Sequence, residues 1–492
     1  MEERLRVLLV AAEVAPFART GGLGDMTGAL SQALAALGHD VRLVMPLYQT
    51  VRDGAFPLTE TVADLSVPLV TGRRTARVWQ GSFPGQEGAT DVPVYFIEQD
   101  DYFARPGLYG DETGDYLDNA QRFLFFCRAA LALTERLGWF PHVFHCHDWH
   151  AALVPAFLRF LPGLGARLST AATLFTIHNL AYQGWFPAWV FGITGLPLSL
   201  FQVAGVEFFG VMNFMKAGLY YADQLSTVSP TYAEEICTPE LGFGLDGVLR
   251  QRRAVLTGIL NGVDYREWNP ETDRALAAHY TATDLAGKVV CKRALLRTYD
   301  MPEDVEIPLV GLISRFVEQK GVDIVADAID PLRALGLRLA VLGSGEARYE
   351  RRFADLARRY PEQIGVRLGF NDPLAHQIQG GSDCLLMPSR YEPCGLTQLY
   401  SLRYGTIPIV RATGGLRDTV VPFTPASGQG TGFVFQEPRA EALVETVRTA
   451  QQVFADRQTW RRLVQNAMAQ DFSWKHSAAR YVELYRRAMA TR

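Results

Sequence analysis

The sequence predicts an α/β protein with two doubly wound domains facing a cleft. Three observations point there. Short apolar runs of strand length alternate with segments of helical spacing along the whole chain. That alternation breaks once, at the Asn261-Gly262 turn, and then restarts with the same grammar. At 492 residues the chain also exceeds what one hydrophobic core comfortably serves. The domains are therefore placed at 1–262 and 263–472, each of the Rossmann-like kind, with a last helical segment at 473–492.

Residues 6–12 form the first strand, and 22–37 have helical spacing with Gly38 just past the end. A strand at 41–45 completes a βαβ unit. Between the first strand and helix lies Arg19-Thr20-Gly21-Gly22-Leu23, whose adjacent glycines let a phosphate or sugar approach the backbone. The same turn also suits simple helix packing. Residues 50–120 alternate short strand-like runs with glycine, proline and acidic residues. The stretch from Arg105 to Tyr116 reads as a mobile loop, either an aromatic platform for sugar rings or a plain surface loop with tyrosines at its base. Helical periodicity resumes over 119–137.

His145, His147 and His150 invite a metal reading, the first two sharing one face of a strand. No cysteine or carboxylate set completes a ligand sphere around them, so no metal is expected. A strand at 173–177 ends in His178-Asn179. A short strand at 225–228 and a helix-like 230–237 follow, and 242–253 reads as a glycine-rich basic loop.

The second half opens with a strand at 308–313, then Ser314-Arg315-Phe316 and a loop through Lys320-Gly321. Lys320 has Glu318 as its acidic neighbour in sequence. Strands at 337–342, 366–369, 383–387, 406–410 and 432–435 alternate with helices to a helix starting near Arg439. After 383–387 a short loop leads to a helix start near Gly395. There the backbone N–H groups of Gly395, Leu396 and Thr397 and the positive end of the helix dipole make a ready phosphate site. Glu392 sits just before, where a carboxylate can accept hydrogen bonds from sugar hydroxyls. Taken alone, such a strand–loop–helix is also ordinary α/β punctuation.

Composition narrows the partners. A formal charge of −4 gives no case for nucleic acid or an anionic membrane. No stretch has 18 uncharged apolar residues, so no membrane span is expected. The N-terminal run breaks at Glu13 and reads as a strand, not a signal peptide. Six scattered cysteines without paired spacing suit reduced thiols in a cytoplasmic protein.

Four motifs in order resemble the bacterial glycogen synthases and starch synthases, retaining glucosyltransferases of the two-Rossmann-domain (GT-B) type. They are Thr20-Gly21-Gly22-Leu23, His145-x-His147-Asp148-Trp149-His150 with His178-Asn179, Ser314-Arg315 through Lys320-Gly321, and Glu392 through Thr397. Arg19 stands where the family carries lysine, and it keeps the charge while adding a fork. Tyr400 stands where related families have a second glutamate.

The resemblance implies transfer of glucose from ADP-glucose to the non-reducing 4-hydroxyl of glycogen or another α-1,4-glucan. It implies catalytic roles for Asp148, His178, Arg315, Lys320 and Glu392. It also implies donor contacts from Arg19, Gly21, Gly22, Asn261, Arg315, Lys320, Cys394, Gly395, Leu396 and Thr397. Tyr109 becomes an acceptor contact on the first domain, onto which the last helical segment packs back.

A diphosphate leaving group needs its charge stabilised. The sequence has no Asp-x-Asp pair to hold a metal, so neither metal nor other cofactor is expected. One cation about 4 Å from a phosphate oxygen is worth roughly 4 kcal/mol gross at an effective dielectric of about 20. Arg315, Lys320 and a helix start can therefore replace a metal. Retention through a carboxylate nucleophile or through front-face return stays open on the residues, and the resemblance favours the latter. Two other classes share this grammar: a sugar-nucleotide epimerase, and a non-catalytic glucan-binding protein.

Overall fold

The computed structural model describes residues 3–84, 90–161, 163 and 165–492. It divides into two compact units. The first takes the chain as far as Val228, together with Ala233–Gly262 and Trp474–Arg492; the second takes Ser229–Tyr232 and Val263–Ser473.

Among the described residues, the first unit holds a nine-stranded sheet. Its parallel part runs Leu256–Gly258, Gln224–Thr227, Ala172–Ile177, Val143–His147, Arg6–Val10, Asp40–Pro46, Val92–Glu98. Chain order therefore reverses between Arg6–Val10 and Val143–His147, the crevice where doubly wound sheets place ligands. Val143–His147 and Ala172–Ile177 are buried along their whole length, as central parallel strands covered on both faces must be. The helix Trp474–Ala490 belongs to this unit and packs against Ala172–Ile177 and the helix Gly22–Ala36.

Residues 50–120 differ from the sequence reading. Instead of several short runs, Thr59–Leu69 and Gly72–Phe83 form one long antiparallel hairpin on the edge of the sheet beside Val92–Glu98. Val62, Leu65 and Val67 face inward, and a register shift between Val62 and Leu65 disturbs the two-residue period that would have announced a strand. The stretch read as a loop at 242–253 contains the helix Asp246–Gln251, whose Val248 and Leu249 are buried. The glycines preceding it masked a short apolar period.

The second unit is a six-stranded, wholly parallel sheet among the described residues. Its order is Ile364–Leu368, Arg338–Gly345, Leu309–Phe316, Cys384–Met387, Ile407–Arg411, Phe433–Phe435. That is the doubly wound 3-2-1-4-5-6 arrangement, with its switch point between Leu309–Phe316 and Cys384–Met387. Leu339, Val341, Leu386, Ile407 and Ile409 anchor its core. Leu309–Phe316 runs further than the apolar pattern suggested, because Ser314, Arg315 and Phe316 continue in register against Gly343, Ser344 and Gly345. Arg315 thus sits on a strand and not in the loop beyond it.

Candidate active site

At the first unit's switch point, the sequence breaks from apolar to charged at Glu13. The break at the end of this strand is the one sequence signal of Glu13. Glu13 is buried, and its carboxylate accepts from Thr20 N at 2.5 Å, Thr20 Oγ1 at 2.8 Å and Tyr109 Oη at 2.5 Å. Burial pushes its pKa up, against the pull of these donors and the Gly21 N–H. One carboxylate thereby gathers the Arg19–Gly22 turn and Tyr109. Arg19 itself pairs with Asp25 at 2.8 Å, both side chains about a third exposed.

Tyr109 is not on a loosely held loop. Arg122, fully buried, donates to Leu108 O at 2.9 Å, and Asn119 donates to Tyr109 O at 2.8 Å. The Tyr109 ring stacks on His150, with centroids 4.6 Å apart.

Asp148 follows directly on the buried strand Val143–His147 and has φ +54°, a conformation few non-glycine residues adopt. That twist turns its carboxyl to accept the His178 N–H at 2.7 Å. Burial raises Asp148 to about 8, outweighing the donors at His178 and Asn179. A carboxyl protonated near neutrality and bonded to backbone makes a poor nucleophile and a good positioning group. His178 is held down to about 3 by burial, so its ring is neutral, and its Nε2 lies 3.1 Å from His147 Nδ1. Of the histidines tempting as metal ligands, His147 Nε2 and both ring nitrogens of His150 have no hydrogen-bond partner among the described residues. His145 bonds Tyr485 Oη at 2.9 Å and Thr176 Oγ1 at 2.6 Å. Asn261 also lies in this unit, buried, with its amide oxygen lacking a partner among the described residues.

In the second unit the loops after the two switch-point strands are laced together. Arg390 N donates to Gln319 O at 2.8 Å, and the Arg390 guanidinium makes two 2.7 Å bonds to Asp323. Gly321 has φ +65°, and a Cβ there would stand 2.1 Å from Pro388 O, so only glycine lets the loops close this far. Their contact brings Lys320 Nζ to 2.6 Å from Glu392 Oε2, which also accepts from Ser389 Oγ at 3.0 Å. Lys320 therefore has an acidic partner that sequence neighbours did not reveal. Ser389 was missed as well, since a serine after a strand carries no distinctive spacing. Arg315 is exposed, and its guanidinium has no ion pair among the described residues.

The helix expected from Gly395 begins at Thr397, with Leu396 at its N-cap. Gly395 has φ +71°, outside helical space, so the stretch expected to contact the donor is a turn followed by a two-turn helix. Gln398 ties that turn by donating to Cys394 O at 3.0 Å and Gly395 O at 2.9 Å. Gly414 keeps the next helix against the loop; a Cβ there would lie 1.9 Å from Glu392 O. Tyr400 stacks face to face on Trp268, at 3.8 Å and 2°, so an aromatic contact fills the place of the second glutamate. The six cysteines are free and buried.

Two family models match. One, described as the starch synthase catalytic domain, covers residues 6–251, and the other, glycosyl transferases group 1, covers 301–470. A glycogen synthase of Syntrophotalea carbinolica is 47% identical over 99% of both chains. One of Anaeromyxobacter dehalogenans is 49% identical over 98% of this chain and 99% of its own. This chain belongs to the glycogen synthase and starch synthase family. It is a hexosyltransferase of the GT-B fold class. The catalytic domain of starch synthase IV from Arabidopsis thaliana, bound to ADP and acarbose, superimposes with a TM-score of 0.91 at 35% identity, over 99% of this chain and all of that one. No helix among the described residues is long and apolar enough to cross a membrane.

Proposed function

We propose that the protein is a cytoplasmic glycogen synthase that transfers glucose from ADP-glucose to the non-reducing 4-hydroxyl of an α-1,4-glucan, with retention of configuration. The observation that carries this is the Lys320–Glu392 pair at 2.6 Å, beside the switch point of the second sheet. It sets a cation for a diphosphate next to a carboxylate for sugar hydroxyls. Arg315 supplies the second cation, and the Cys394–Thr397 turn supplies backbone N–H groups. Asp148 and His178 hold the glucose and do not attack it, and retention follows front-face return. Arg19, Gly21, Gly22 and Asn261 contact the donor, and Tyr109 serves the glucan. No metal takes part in the chemistry.

The test compares ADP-glucose with UDP-glucose, with and without glycogen, and with excess chelator. Nucleotide release from ADP-glucose that requires glycogen and ignores chelator is the expected result. An isomeric free sugar nucleotide formed without glucan would mean an epimerase. Glucan binding without turnover would mean a non-catalytic binder. Activity lost to chelator and restored only by a divalent ion would overturn metal-free transfer.

A further inference from the structure

In the loop after Cys384–Met387, every carbonyl from Glu392 to Gly395 accepts a hydrogen bond. Gly415 N donates to Glu392 O at 3.1 Å, and Ser229, which belongs to the same unit, donates through Oγ to Pro393 O at 2.6 Å. The next two carbonyls, of Cys394 and Gly395, share the Gln398 amide, whose Nε2 is 3.0 and 2.9 Å away. Thr419 Oγ1 lies 3.2 Å from the same nitrogen and gives its own proton to Gly415 O at 2.6 Å. All three neighbours are therefore acceptors, which fixes the amide with its nitrogen end toward the turn.

These peptide bonds are trans, and a planar trans peptide points its C=O and its N–H in opposite directions. The peptide that sends Cys394 O to Gln398 therefore sends the Gly395 N–H away from it. The next peptide does the same for the Leu396 N–H. Neither N–H donates to a described residue, and both residues are partly exposed. Gln398 itself is fully buried, and its Oε1 has no partner among the described residues. Burying an amide with one end unpaired costs stability, so the useful end is the one that holds the turn. Gly395 is fitted to it: φ is +71° there, and a Cβ would stand 2.3 Å from Gln398 Oε1.

We propose that Gln398 is a positioning residue of the transferase: by holding the Cys394 and Gly395 carbonyls, it aims the Gly395 and Leu396 N–H groups at the donor's diphosphate. This rests on the donor placement proposed above. Donors fixed in place before the ligand arrives need no reorganisation as charge grows on the leaving group. Gln398 acts through the turn alone and is not itself a catalytic residue.

The test measures ADP and adenosine affinity, and Tm, in the full-length parent, Gln398→Met and Gln398→Glu. Methionine keeps the length and loses the donors; glutamate sets an acceptor against both carbonyls. ADP affinity is expected to fall about tenfold in each variant, the scale of losing a hydrogen bond to a charged group. Adenosine, which carries no phosphate, should bind as before. A lower Tm with an unchanged ratio of the two affinities would make Gln398 purely structural and overturn the proposal. Failure of both variants to fold would do the same. In the parent, ADP is expected to slow amide hydrogen exchange in the peptide spanning Gly395 and Leu396. Slowed exchange there, with ADP affinity unmoved in Gln398→Met, would remove Gln398 and leave the donor placement standing. Unchanged exchange would remove the donor placement, and this proposal with it.

Discussion

Lys320 Nζ and Glu392 Oε2 lie 2.6 Å apart, joining two loops separated by 72 residues of chain. The glutamate side chain is 6% exposed and the lysine 20%. Before a donor arrives, each therefore satisfies the other. On the proposed reading, a diphosphate would compete with Glu392 for the ammonium, and sugar hydroxyls would then take over the carboxylate.

This pairing makes the two side chains energetically coupled. Lys320→Ala should lower kcat by about 10²–10³, the scale of losing one electrostatic stabiliser, and should weaken ADP. Glu392→Gln should lower turnover yet leave ADP binding intact or tighter, because Lys320 is released toward phosphate. The double variant should be no worse than the poorer single one. ADP titration calorimetry decides it. Loss of ADP binding in Glu392→Gln with retention in Lys320→Ala would place the donor the other way round.

The second unit's strands were legible along the chain because they are buried on both faces and read as unbroken apolar runs, while their order in the sheet came only with the structure. Leu385–Met387 and Ile409–Val410 are such cases. The edge hairpin was not, since a bulge between Val62 and Leu65 breaks alternation. Motif residues could be named from spacing, but their pairings could not. Nothing in sequence says that Lys320 meets Glu392, or that Tyr109 meets Glu13. Such contacts depend on how loops from separate strands converge. Glu13 and Trp268 were legible only in retrospect: the first as a charge ending an apolar strand, the second as an aromatic facing Tyr400.

Arg19 shares its charge with Asp25 at 2.8 Å. Arg19→Ala should raise the ADP-glucose KM while changing kcat little, and lysine should restore much of the binding. Asp25→Asn should lower the donor KM by freeing the guanidinium. Steady-state kinetics over donor concentration check both. A donor KM unmoved in Arg19→Ala would remove this side chain from the donor site.

Stability should peak near pH 6.5. Burial holds His178 down to about 3, and His145, His147 and His150 well below the ordinary imidazole value. Unfolding at about pH 4.5–6.5 therefore lets these imidazoles take up protons. Asp148, raised to about 8, and Glu13, raised by burial, release protons on unfolding in the same window. The imidazoles outnumber them, so stability falls on acidification below about pH 6.5. Above it the imidazoles no longer contribute, while native Asp148 still keeps a proton that the unfolded chain releases, so stability declines toward pH 8 and levels off above it. Urea midpoints at three pH values test the shape. Asp148→Asn should abolish the alkaline decline, and an unchanged decline in that variant would assign it to another group.

Tyr109 tests whether the proposed glucan contact and the proposed donor turn are mechanically linked. Its hydroxyl donates to Glu13 Oε1 at 2.5 Å, and the same carboxylate holds Thr20 through both backbone and side chain. Its ring, meanwhile, lies on His150 at 4.6 Å. Hydroxyl and ring therefore have separable jobs. Tyr109→Phe keeps the ring and removes one donor from a buried carboxylate, which costs about 1–3 kcal/mol of stability. Glu13 then shifts further toward protonation and grips Thr20 less firmly, so the donor KM should rise while glycogen affinity holds. Tyr109→Ala also loses the ring, so glycogen affinity should fall as well. Comparing donor KM with glycogen binding in both variants separates the roles. If Tyr109→Phe weakens glycogen and spares the donor KM, the hydroxyl serves the glucan directly and Glu13 is not its working partner.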